Sequence, residues 1–258
     1  WHHLLREQGH EVVSIGKLHF RGGEADHGFT EEQIPMHVVG GLGDLMGLVR
    51  DDMPVRGGAS KMARLAGPGE SVYTLYDREI ASRAQIWLRD AAKRRHDRPW
   101  CLFVSFVAPH FPLTAPPEHY FPYFDHPDLP WPKAYRQPIR HPFHADYART
   151  FPYDSHFEDE ENVRRAVAGY FGLCTFLDEQ IGKLRDTLDD AGISGSTRVV
   201  YCSDHGDNLG ARGLWGKSNM FEESVGVPLI ATGDGLEAGR TVGAPCTLLD
   251  LFPFILEA

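Results

Sequence analysis

Apolar positions along the chain switch between helical and strand-like spacing in a regular order. Residues 1–8 read as the end of an amphipathic helix closed by Gly9. Glu11 to Ile15 is a short strand-like run. From Tyr76 to Arg95, Ile80, Ala84, Leu88 and Ala91 keep helical spacing. Trp100 to Ala108 is continuously apolar over Cys101-Leu-Phe-Val-Ser-Phe-Val, the pattern of a strand buried on both faces of a parallel sheet. The clearest helix carries Val163, Val167, Tyr170, Cys174, Leu177, Ile181, Leu184 and Leu188 as one stripe, closed by Gly192. That stripe is expected to pack on the sheet and carry no chemistry. Thr197–Cys202 and Val227–Ala231 read as further strands, and Thr247–Leu256 as a last helical run.

Strands alternating with helices predict an α/β fold, a doubly wound and mostly parallel sheet with helices on both faces. Residues 1–258 read as one domain with two long excursions. The first, 21–70, is rich in glycine and charge, and the second, 109–152, is crowded with proline, histidine and aromatics. Both ends fall inside apparent helices, at Trp1 and Ala258, so the chain is expected to be a piece incomplete at both ends.

Composition narrows the partners. Hydrophobic residues at 42% and charged residues at 24% are ordinary for a soluble globular domain of 258 residues. A net charge of −10 argues against general nucleic-acid binding, which needs clustered cations. No apolar run approaches the roughly 18–20 residues of a membrane span. The expected setting is soluble, with the cytoplasm favoured over the periplasm. The four cysteines, Cys101, Cys174, Cys202 and Cys246, lack zinc-type or redox-type spacing.

Ligands of open α/β sheets bind beyond the carboxyl ends of the strands. Three predicted strands end in polar groups able to act there: Gly16-Lys17-Leu18-His19, Ala108-Pro109-His110-Phe111-Pro112 and Ser203-Asp204-His205-Gly206-Asp207. Asp204 and His205 side by side can clamp a divalent cation, with Gly206 allowing a sharp turn. Taken alone, that string fits an aspartate cap beside a surface histidine equally well. Lys17-Leu18-His19 and His110 alone fit structural roles. Trp131, Tyr135 and Tyr147 fit loop packing better than stacking on a ligand.

Together the strings resemble the type I sulfatase family of the alkaline phosphatase superfamily. Gly16-Lys17-Leu18-His19 is similar to its Gly-Lys-x-His motif, and residues 105–112 to its Ser-Phe-x-x-Pro-His-x-Pro motif. The run from Ser203 through Lys217 and Glu223 to Pro228 is similar to the family pattern at almost every position. The segment around Leu113–Tyr120 resembles the choline-sulfatase-like branch. The resemblance implies an alkaline phosphatase-like fold and hydrolysis of a small-molecule sulfate ester. It implies that Asp204 and His205 ligate a divalent metal, Ca2+ first, with Mg2+ or Mn2+ as alternatives. Lys217 would hold a sulfate oxygen, Lys17 and His19 would line the reacting group, and His110 would face the leaving oxygen.

The family's nucleophile is a formylglycine made within Cys-x-Pro-x-Arg, and none of the four cysteines stands in that context. That motif, the paired aspartates of the first strand and the small C-terminal domain are expected outside these residues, so this chain alone is expected to be inactive. A phosphonate monoester or phosphodiester hydrolase of the same superfamily is the alternative enzyme. A non-catalytic anion-binding remnant is the alternative without chemistry.

Overall fold

The computed structural model describes residues 1–43, 53–137, 139 and 141–257. The central element is β1 (Val12–Lys17), whose first five residues are all buried. It is flanked in parallel by β2 (Glu31–Met36) and β4 (Cys101–Ser105), giving the order β2-β1-β4. Alternation along β1 splits its side chains between two layers. Val13 and Ile15 pack against Ile80, Ala84, Trp87, Leu88 and Ala91 of α3 (Val72–Lys93), together with Leu188 of α6 (Glu160–Asp190). Val12 packs on the opposite face with Leu5 of α1 (His2–Glu7) and Ile255 and Leu256 of α8 (Leu251–Leu256). Each such fully buried aliphatic side chain contributes roughly 1.5–3 kcal/mol.

Both long helices start where the sequence supplies a cap. Ser71 accepts from the Thr74 N–H while Thr74 closes a reciprocal capping box. The Asp159 side chain accepts from the Asn162 N–H at the head of α6. The apolar stripe of α6 is buried as its spacing predicts, with Val163, Val167, Leu173, Phe176 and Leu177 in the largest core cluster.

The structure adds detail to the two excursions and to the sheet. The excursion 21–70 is long loop with short pieces of structure, as its weak periodicity suggests. It holds β2, the short helix α2 (Ser60–Arg64) and β3 (Gly67–Pro68), while its stretch 44–52 lies outside the described residues. β2 is an edge strand with a proline at position 35, so it lacks the apolar run that marks a buried strand. The excursion 109–152 likewise contains β5 (Thr114–Ala115), which pairs with β3, then α4 (Pro117–Phe124) and α5 (Pro142–Thr150). Both helices begin with proline at the first turn, a start signal rather than a breaker.

The pairing is mostly parallel, as expected, with one antiparallel pair. β7 (Leu229–Thr232) pairs antiparallel with β6 (Val199–Cys202), and this pair forms no ladder with β4. The 203–228 segment, including α7 (Glu222–Val225), leaves and returns at the same end of β6, so β7 must run backwards. β4 is only half-buried, and Phe103 on its second face is 38% exposed. Between β4 and β6 runs a cavity of about 700 Å³, lined by both strands and by Leu177, Ile181 and Leu184 of α6. No helix among the described residues is long and apolar enough to cross a membrane.

Candidate active site

Each polar strand end is built by a local constraint. At the end of β1, Gly16 has φ +108°, and a Cβ there would meet the Ser105 carbonyl oxygen at 2.3 Å and Ile80 at 2.8 Å. Only glycine lets β1 press so closely on β4 and α3. The pairing with β2 shifts register between Ile15 and Lys17, which re-aims Lys17. His19 follows in the left-handed region at φ +56°.

Beyond β4, the N–H groups of Val107 and Ala108 donate to the two carboxylate oxygens of Asp77, each at 2.8 Å. This fixes the chain one residue before the Pro109-His110 pair. Beyond β6, the Ser203 hydroxyl donates to the His205 carbonyl at 2.8 Å. Gly206 is not needed for a left-handed turn there. Its role is close approach, since a Cβ would lie 2.2 Å from the Glu223 carbonyl oxygen.

All six residues singled out in the sequence, Lys17, His19, His110, Asp204, His205 and Lys217, line the one cavity that lies between β4 and β6. Lys217 Nζ donates to His205 Nε2 at 2.6 Å, and Asp204 Oδ1 lies 3.5 Å from the same nitrogen. The rings of His110 and His205 meet edge to face at 6.2 Å. His110 Nδ1 bonds the Phe111 carbonyl at 2.8 Å, and His205 Nδ1 bonds the Gly206 carbonyl at 2.9 Å. A carbonyl only accepts, so both Nδ1 atoms carry the proton and both Nε2 atoms offer a lone pair in the neutral ring.

Electrostatics couples these groups. Burial pushes the His110 imidazole down to about 4, helped by Lys217, Lys17 and His205 and opposed by its bond to Phe111. Lys217 is lowered by burial and then by Lys17, while Asp204 and Asp207 pull the other way. His19 is lowered by burial, Lys17 and Lys217, again against Asp204. A chain of net charge −10 thus gathers two ammonium groups and three imidazoles around one point. Such a cradle suits a small tetrahedral anion.

The family model described as Sulfatase matches residues 2–258. The chain belongs to the sulfatase family. It is 33% identical over 263 residues to the choline-sulfatase of Rhizobium meliloti, covering 99% of this chain and 51% of that protein. It is 27% identical over 272 residues to arylsulfatase K of Danio rerio, covering 100% of this chain and 49% of that protein. The chain therefore spans about half the length of these curated relatives. Its fold superposes on the phosphonate monoester hydrolase of Silicibacter pomeroyi with a TM-score of 0.68 at 23% identity, covering 98% of this chain and 56% of the other. At that identity the likeness shows the fold, the alkaline phosphatase-like arrangement.

In this sulfatase chain Asp204 Oδ1 and His205 Nε2 are two donor atoms 3.5 Å apart at the mouth of the 203–228 segment. That separation would let both donors meet one divalent ion, provided Lys217 gives up its bond to His205 Nε2. Burial raises Cys101 and Cys174 to about 11, and all four thiols are free.

Three supporting residues were not singled out from the sequence. Asp77 falls three positions before Ile80, on the apolar stripe of α3, and a carboxylate on that face is the signal that marks it. Asp207 is half-buried and accepts from the N–H groups of Leu209 at 2.8 Å and Gly216 at 3.0 Å, closing the loop that presents Lys217. Trp215, fully buried, stacks on Phe157 at 4.0 Å and anchors the same loop. Tyr147, from the proline-rich excursion, lines the cavity and donates its hydroxyl to the Trp215 carbonyl at 2.8 Å. Trp131 and Tyr135 pack on each other at 5.5 Å.

Proposed function

We propose that this chain carries the anion-binding and proton-transfer half of a sulfate-ester hydrolase. The observation that carries the proposal is the convergence of Lys17, Lys217, His19, His110, Asp204 and His205 on one cavity. Lys17 and Lys217 would each donate to a sulfuryl oxygen, which supports charge as it builds in the transition state. His110 is uncharged in the free protein, with Nε2 open as an acceptor. An anion held by the two lysines offsets their charge and raises the affinity of Nε2 for a proton. That proton can then pass to the ester oxygen as the S–O bond breaks. His19 stands beside the same lysines as a second proton carrier.

Asp204 and His205 would hold a divalent cation, which adds positive charge on the sulfuryl oxygens when bound. An oxygen-rich sphere favours Ca2+, and the imidazole ligand also suits Mn2+. The attacking group is not among the residues placed here, and the family's formylglycine remains an expectation. Tyr147 and its neighbours Phe151, Tyr153 and Tyr170 give the cavity an aromatic wall. With the choline-sulfatase relative, that wall favours a small ester with a quaternary ammonium, held by cation–π contact.

The test is sulfate release by the gene product from choline sulfate and an aryl sulfate, against a matched aryl phosphonate. Expected is turnover of a sulfate ester, reduced about 100-fold or more by Lys217→Ala or Lys17→Ala. Faster turnover of the phosphonate would install the phosphonate monoester hydrolase reading instead. Sulfate binding without any turnover would leave an anion-binding protein.

A further inference from the structure

The segment after β1 is tied to the end of β2 by its backbone. The Met36 carbonyl accepts from the N–H groups of Leu18 at 3.2 Å and His19 at 2.8 Å, and the Phe20 carbonyl accepts from Val38 N–H at 2.9 Å. His37 sits between those ties. Both nitrogens of its ring are buried, and neither has a hydrogen-bond partner. A half-buried imidazole with both nitrogens shut off from solvent and unpartnered is costly, and an ion or water taken up between such nitrogens removes that cost.

The neighbours of His37 supply the rest of a donor set. The His27 ring lies 5.4 Å away, covered on another side by Phe20 at 4.3 Å. Glu32 Oε1 is 2.9 Å from His27 Nδ1, with the two side chains only 8% and 22% exposed. One donor atom from each of His27, Glu32 and His37 lies within 4.8 Å of the other two. No other trio among the described residues meets that condition, and Asp204 and His205 are not part of one.

We infer that His27, Glu32 and His37 form a binding site for a first-row transition ion of the zinc class, separate from the reaction centre. Two imidazoles and one carboxylate are a borderline nitrogen–oxygen set that Zn2+ accepts readily. Calcium, which takes six to eight oxygens, does not fit it. Tetrahedral Zn2+ with bonds of 2.0–2.1 Å puts its ligand atoms about 3.3 Å apart, so no pair needs to close by more than about 1.5 Å, within reach of side-chain rotation. Binding would break the His27–Glu32 hydrogen bond, displace a ring proton and leave the fourth position to water. The ion would cross-link β2 to the segment that carries His19, adding rigidity there without touching substrate. This site stands independently of the sulfate-ester proposal.

The test uses the chain stripped with a chelator, titrated with Zn2+ by calorimetry and with Co2+ by visible absorption. Expected is one equivalent of Zn2+ and tetrahedral Co2+ bands, both retained in an Asp204→Ala/His205→Ala variant and both lost in His37→Ala. Circular dichroism checks that each variant is folded. Should His37→Ala fail to fold, Glu32→Gln decides in its place, with Zn2+ affinity about tenfold weaker or worse supporting the site. Zn2+ binding that is absent, or unchanged in these variants, or lost only with Asp204 and His205, overturns it. In that case His27 and Glu32 are an ordinary ion pair against which His37 packs.

Discussion

Charge at this site is decided residue by residue, and His110 shows how. Its imidazole falls from an ordinary 6.5 to about 4 because burial and the two lysines oppose its charged form. In the unfolded chain it takes up a proton near 6.5, while in the folded chain it stays neutral until about 4. Between those values the unfolded state binds more protons, so stability falls as pH is lowered through the window. The ceiling of that loss is on the order of 3 kcal/mol. Urea unfolding at about pH 7 and pH 4.5 should show a steeper loss for the native protein than for His110→Gln. Equal losses would mean that His110 is not held neutral. Because the same lysines are to hold the anion, saturating sulfate should shrink the difference.

At the scale of elements, the site depends on side chains that never face the ligand. Asp77 on α3 is buried, and its two oxygens satisfy the Val107 and Ala108 N–H groups that lead into His110. Burial raises it to about 6, against the pull of those two bonds and of Lys17. Asp77→Ala leaves two buried donors unpaired, at a cost of about 2–5 kcal/mol. Asp77→Asn keeps one acceptor and should cost roughly half as much. Urea unfolding measures both, and sulfate affinity should fall in the same order because His110 loses its footing. A stability change below about 1 kcal/mol in Asp77→Ala would show that the two N–H groups find other partners.

The elements also show what a sequence can and cannot display. The stripes of α3 and α6 and the apolar run of β4 are periodic, so their spacing gave them away. Lys17, His19, His110, Asp204 and His205 follow strand ends, so five could be placed on one side of the sheet, while Lys217, far along the loop after β6, was reached only through the family resemblance. β2 escaped because a half-exposed edge strand has no apolar run, and α4 and α5 because proline-rich segments look like loops. The His27–Glu32–His37 group escaped for another reason. Its members are separated by five residues at each step, a spacing with no helical or strand meaning.

The whole molecule is organised around two facing edges. β4 pairs with β1 on one side only, and β6 pairs with β7 on one side only, so each presents unpaired backbone toward the cavity between them. β7 is exposed throughout, and the α3–α6 layer holds both strand systems from one face. The four cysteines report on this arrangement independently of any chemistry at the site. Cys202, at the exposed end of β6, lines the cavity, and Cys246 lies on the surface. Cys101 and Cys174 are half-buried, with thiols raised to about 11 by burial, which leaves little thiolate to react. A thiol-exchange reagent near neutral pH should therefore titrate two groups in the folded chain, Cys246 and Cys202, with Cys202 slowed because burial and Asp204 raise it as well. The other two should react only on unfolding. A fast Cys101 would mean that the α1–α8 face of the sheet is looser than its packing implies, and a fast Cys174 that the packing of α6 is. A single fast thiol would mean that the edge of β6 is covered, with β4 closed onto it or another strand between them.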